Sequence, residues 1–167
     1  IQGAVALGAT ISAATSMSSS VMASPKKGGT LRLAMSSGTT TDILDMSVST
    51  GATSELVHGY AIYNNIVEVA ADGSVVPELA ETMETDDAKT WRFKVRKGVE
   101  WHNGKSLDVN DMMASVNYHR GDDSKSSIKG QLAEISDVRA DGDYLVIELE
   151  GPNSDFPVML SDYHAPV

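Results

Sequence analysis

From Thr90 to Val95 the chain alternates without a break, with Trp91, Phe93 and Val95 on one side and Arg92, Lys94 and the following Arg96 on the other. Bulky apolar and cationic residues with a period of two define a β-strand that lays one face on a core and shows the other to water. A strand of this kind cannot stand alone, since its backbone needs ladder partners. Glu81 to Glu84, across Asp86-Asp87-Ala88-Lys89, supplies one. Glu134 to Arg139 and Tyr144 to Glu150 form a further hairpin around Asp141-Gly142.

Other segments read as helix, turn and loop. Thr30 to Ser36 alternates Leu31, Leu33 and Met35 and is expected to be a half-buried strand. A helix is expected over Ser54 to Ile66, with Leu56, Tyr60, Tyr63 and Val67 on one face and Thr53 or Ser54 as its cap. Ala71-Asp72-Gly73 is a hairpin turn, and Pro77 is placed to begin a short helical turn through Ala80. His102-Asn103-Gly104-Lys105 is a tight turn; Asp108 then caps a helix from Val109 to about His119, with Asp111 near its positive end. Gly121 to Lys129 is polar and expected to be a mobile loop, and Asp155 to Leu160 a short helix. Strands and helices together make the fold class α/β, a mixed sheet with hairpins and helices.

Composition narrows the function. The 167 residues carry 13 Lys and Arg against 23 Asp and Glu, a net charge of −10 that disfavours nucleic acid or anionic lipid as partner. The absence of cysteine removes disulfides, thiolate nucleophiles and cysteine-ligated metals. No charged residue precedes Lys26. Within that stretch Ala4 to Ala14 has the length of a signal-peptide core, too diluted by Ser and Thr to span a membrane. Val21 and Ala23 suit a cleavage site before Ser24. Residues 1–23 are therefore expected to be a partial signal peptide and 24–167 the mature part. The Gly/Thr-rich core resembles twin-arginine signals, and with Ile1 in first place the basic segment is expected to lie upstream.

The usual catalytic patterns are missing. His58, His102, His119 and His164 form no i, i+4 pair, so no metal site is expected. Neither Gly-x-Ser-x-Gly nor a glycine-rich phosphate cradle occurs, and no cofactor is expected. A calcium loop starting at Asp141 would need Glu at Pro152. Asp86-Asp87 and Asp122-Asp123 read as solvated turns. Trp91 belongs to the core by its alternation, and Trp101 could stack on a ligand.

What is specific is the succession of pieces. Tyr63-Asn64-Asn65-Ile66-Val67-Glu68, an Asp72-Gly73 turn and Val76-Pro77-Glu78-Leu79-Ala80-Glu81 come first. Thr90 to Val99, Trp101-His102-Asn103-Gly104-Lys105 and Asp111-Met112-Met113-Ala114-Ser115-Val116 follow. From Gly28 to about Leu160 this succession resembles the N-terminal part of the peptide/nickel-type (family 5) extracytoplasmic solute-binding proteins of ABC importers. Trp101, Asn103 and Ser106 stand where the family usually has Phe, Asp and Pro, changes that keep aromatic bulk and turn character.

The resemblance implies the N-terminal lobe portion of a two-lobed, type II-like periplasmic-binding-protein fold, with the C-terminal lobe missing from what looks like a gene fragment. It implies a periplasmic, non-enzymatic receptor, monomeric when complete, that closes on a small peptide or related solute and delivers it to an ABC permease in the inner membrane. A non-peptide solute (nickel complex, opine, sugar), or a sensor in place of the permease, is the alternative. Clefts in α/β sheets form at the loops leaving strands. The loop leaving the first expected strand, Ser36, Ser37, Gly38, Thr39 and Thr40, is uncharged and rich in hydroxyls and backbone donors. Those five are the candidate ligand-binding residues; in the resembling family this loop also borders the cleft.

Overall fold

A computed structural model describes residues 27–34, 36, 38–40, 42–49 and 53–167, the side chains of 53–56 and 58 excepted. The expected signal segment, 1–23, lies outside the described residues. The chain separates into a unit ending at Ala34 and a second unit, Met35–Val167, which carries the elements below.

Two antiparallel sheets organise the second unit. Strands β1 (Val67–Val69) and β2 (Val75–Pro77) form a hairpin around Gly73, whose φ of 87° is the left-handed conformation that suits glycine. The Asp72 carboxylate accepts from the Ser74 N–H and hydroxyl and fixes that turn. The larger sheet comprises β3 (Ala80–Glu84), β4 (Thr90–Val95), β5 (Ile135–Asp141) and β6 (Tyr144–Leu149) in the order β3-β4-β6-β5. The alternation over Thr90–Val95 is realised: Trp91, Phe93 and Val95 are buried and the residues between them are not.

Leu145, Ile147 and Leu149 of β6 extend that inner face. Helix α2 (Val109–Tyr118) packs on it through Met112 and Val116, and Phe156 of the short α3 (Phe156–Met159) completes the core with Leu160. The Trp91 ring lies 6.4 Å from Phe93 and 6.5 Å from Phe156. On the outer face Val146 is also buried, flanked across the ladders by Arg92 and Arg139, whose stems can cover an apolar neighbour while their heads stay wet. Helix α2 begins on a capping box: Asp108 accepts from the Asn110 and Asp111 N–H groups, and Asp111 accepts from the Asp108 N–H.

Several expectations need correction. Residues 30–34 form no strand; Leu31 and Leu33 are 80% and 64% exposed, and no ladder partner faces them among the described residues. Alternation marks a face that could be buried, but a strand exists only where another pairs with it. Helix α1 (Thr53–Ile62) stops four residues early, and Tyr60, expected on its inner face, is 66% exposed. Its inward contact is Gly59, buried against Met46. Pro77 ends β2 instead of starting a helical turn, because its carbonyl side pairs with Val67 and a strand end tolerates the missing N–H. The 121–129 loop is not a free polar loop: Ser126 and Ile128 are buried, and Gln131–Glu134 continues it as a 3₁₀ turn.

Candidate functional site

The candidate loop enters the second unit by way of a closed turn. The Thr39 N–H and hydroxyl both donate to Asp42 Oδ1, at 2.9 and 2.7 Å. The spacing Thr-x-x-Asp allows this closure and is readable in the sequence. Ser36, Gly38, Thr39 and Thr40 are all exposed, whereas Ser37 lies outside the described residues. A Cβ at Gly38 would meet only Asp42 Oδ2 at an ordinary 3.6 Å, so glycine is not sterically required there.

Downstream of the loop the backbone is held firmly. A 3₁₀ turn, Met46–Val48, starts on Asp45, whose Oδ1 accepts from the Ser47 N–H and hydroxyl. The other carboxylate oxygen accepts the Tyr118 hydroxyl at 2.8 Å. Burial alone would raise the Asp45 pKa; the bonds from Ser47 and Tyr118 outweigh it and hold the carboxyl below its ordinary range. Three more bonds tie the turn to distant parts of the chain. The Tyr63 hydroxyl donates to the Leu44 carbonyl at 3.1 Å, the Ser127 N–H to the Ser47 carbonyl at 2.8 Å, and His164 Nε2 to the Ser49 carbonyl at 3.3 Å. Met46 is buried beneath. The turn that follows the candidate loop is thus fixed by side chains from distant parts of the chain.

Behind Tyr118 sits His119, 3% exposed, with Nδ1 2.9 Å from the Ser126 hydroxyl and Nε2 lacking a hydrogen-bond partner among the described residues. Burial pushes its pKa down; the Pro166 carbonyl and Asp45 push the other way without cancelling it, and His164 adds to the lowering. His164 in turn places Nδ1 2.6 Å from Asp162 Oδ1.

A cavity of about 410 Å³ opens on another side, between Tyr63, Asn64, Leu79, Trp101, Asn103 and Leu107. The Trp101 ring borders it while its Nε1 donates to Asp111 Oδ2 at 3.1 Å. Burial opposes ionisation of Asp111, but bonds from Lys105, Trp101 and the Asp108 N–H keep its pKa below the ordinary value. Trp91 is a core residue, 6% exposed, with its Nε1 buried. Among the described residues no cluster of three or more His, Asp or Glu could hold a metal ion, and no helix is long and apolar enough to cross a membrane.

The sequence pattern gives no sign of the stem below the candidate loop. Asp45, Tyr118, Ser126 and His164 are brought together from three separate regions, and no spacing rule reports such convergence.

Antiparallel sheets backed by helices, with a hydroxyl-rich loop on an anchored stem, define part of a lobe of the binding-protein fold. Residues 74–167 match the family model of bacterial extracellular solute-binding proteins, family 5 (middle region), and the chain belongs to that family. The nickel-binding periplasmic protein of Escherichia coli is 42% identical over 49 residues, 29% of this chain and 9% of that protein. The oligopeptide-binding protein OppA of Bacillus subtilis is 24% identical over 137 residues, 70% of this chain and 25% of that protein. The solved structure of the binding protein AgaA with agropinic acid, from A. tumefaciens R10, superposes with a TM-score of 0.67 at 28% identity, over 74% of this chain and 25% of that one. The chain thus spans at most 25% of the length of these relatives.

Proposed function

We propose that the chain is the N-terminal lobe portion of the solute-binding component of an ABC importer, a receptor that captures a small peptide or related solute between two lobes. The observation that carries this reading is the family match over residues 74–167. A solute held between lobes favours the closed state by the contacts it makes with both, and that closed form is what a permease in the inner membrane would accept. The reading makes the protein a receptor that breaks no bond.

In this reading residues 1–23 are removed on export and the mature protein is a periplasmic monomer. Ser36, Ser37, Gly38, Thr39 and Thr40 are this lobe's contribution to the cleft: backbone groups and hydroxyls that hydrogen-bond a ligand without selecting its charge. The stem at Asp45 and Tyr118 would keep that loop in place as the lobes close.

Calorimetric titration of the full-length protein tests the proposal, with pooled di- to pentapeptides, a nickel–histidine complex and an opine as separate arms. Saturable binding of peptides supports it as stated. Binding of only the nickel complex or the opine moves the solute class and keeps the receptor; turnover of any of them, or binding of none, overturns it.

A further inference from the structure

We propose that His119 is a proton-responsive latch holding the Asp45–Ser49 turn, and with it the stem of the 36–40 loop, against the end of helix α2. The latch stands whether or not the loop touches a solute. Its parts are arranged around one buried ring. Tyr118, the residue before His119, presents its ring edge-on at 5.4 Å and donates to Asp45. Ser126, which bonds His119 Nδ1, is followed by Ser127, whose N–H donates to the Ser47 carbonyl. The neighbours of His119 on both sides therefore grip the same turn. On the remaining side Pro166 accepts the Ser115 hydroxyl, and His164 reaches Ser49.

The groups facing the ring come from every element around it. The turn brings Asp45, the C-terminal segment brings His164 and the Pro166 carbonyl, the 121–129 loop brings the Ser126 hydroxyl, and α2 itself brings Tyr118. A proton added to the ring meets the Pro166 carbonyl, one carboxylate already engaged by three donors, and a neighbouring histidine; burial weighs most and disfavours the charged ring in the closed form. Lifting the turn gives the charged ring its water. Asp45, held below the ordinary carboxylate range, stays ionised in this interval. The acid response resides in His119, and the His119→Asn variant separates it from any other group on the turn.

The sign follows from linkage. A histidine whose pKa is depressed in the closed form contributes full stability above its open-state value of about 6.5 and loses it as pH falls below that value. The opening equilibrium therefore rises as pH falls from 7 to 5, by a factor that the open-state value limits to about 25.

Amide hydrogen exchange on the full-length protein at pH 7 and pH 5, corrected for intrinsic chemical exchange, reads this directly. The Ser127 amide should lose severalfold protection at pH 5 while the central β6 amides, 144–149, keep theirs. The His119→Asn variant, which retains a polar atom for Ser126, should show the same Ser127 protection at both pH values. Equal protection of Ser127 at the two pH values in the parent protein overturns the proposal, whether or not the variant folds. So does a parallel loss in β6, which is global unfolding, or a pH response that survives in His119→Asn.

Discussion

Gly59 and Met46 offer a direct measure of how tightly the turn is seated. Gly59 lies inside helix α1, where alanine is ordinarily better by about 1 kcal/mol because glycine loses more backbone freedom on folding. Here a Cβ would sit 2.7 Å from Met46 Cε and 2.9 Å from its Sδ. Carbon atoms in contact prefer roughly 3.5–4.0 Å, so the thioether must retreat by about an ångström. Met46 is flexible but buried, and overpacking of this kind costs about 1–3 kcal/mol. The gain and the cost nearly cancel, leaving Gly59→Ala neutral to about 2 kcal/mol destabilising.

The background decides the sign. Met46→Ala alone should cost about 2–5 kcal/mol, through lost burial and a cavity under the turn. In that background the methyl group added by Gly59→Ala enters empty space. The substitution then becomes stabilising by about 1 kcal/mol from propensity and roughly another 0.8 from the methyl it buries. The double-mutant cycle thus shows a coupling of about 2–4 kcal/mol. Urea unfolding followed by the fluorescence of Trp91 and Trp101 supplies the four free energies. If Gly59→Ala stabilises by the same 1 kcal/mol in both backgrounds, Met46 is not packed against the helix and the seating argument is wrong.

Further expectations are sharp enough to check. Ala88 occupies φ 54°, a left-handed conformation costly for a residue with a Cβ, so Ala88→Gly should be neutral to about 1 kcal/mol stabilising in the same urea assay. Asn65 Nδ2 donates to the carbonyls of Leu160, Asp162 and Ala165 from a buried position, and Asn65→Ala should cost about 1–3 kcal/mol, with hydrogen exchange in the C-terminal segment rising first. Asp108→Ala removes the helix cap and should cost about 1 kcal/mol by chemical denaturation. In the full-length protein, Thr39→Leu with Thr40→Leu should weaken solute affinity in calorimetry while Tm barely moves; unchanged affinity would place the cleft elsewhere. Mass spectrometry of exported protein should find the mature chain starting at Ser24, and a start well before Ser18 or beyond Gly28 would refute the processing site.

What the sequence discloses here is what depends on neighbours a few residues apart. Strand β4, the Asp72-Gly73 turn and the Asp108 cap are each determined by contacts within a hairpin or a helical turn, and each forms where its pattern places it. The segment 30–34 carries an equally good alternation yet makes no strand, because a ladder needs a partner that no pattern within the segment can supply. The 121–129 loop shows the converse. Its polarity is real, but one isoleucine and one serine in it are buried, and single anchors have no period to detect.

The stem of the candidate loop shows why such a site is hard to read from residues in order. Its five holding groups are Tyr63, Tyr118, Ser127, His164 and the buried Met46, and the first four reach back 19 to 115 residues or lie in loops far along the chain. The loop itself spends its nearest carboxylate, Asp42, on closing its own turn, while the bonds that hold the stem to the body are those at Leu44, Asp45, Ser47 and Ser49. The turn is therefore seated by the 121–129 loop and by the C-terminal segment, both far along the chain. Local opening proceeds in contiguous units, and a turn held by a few long-range bonds can be such a unit apart from the sheet.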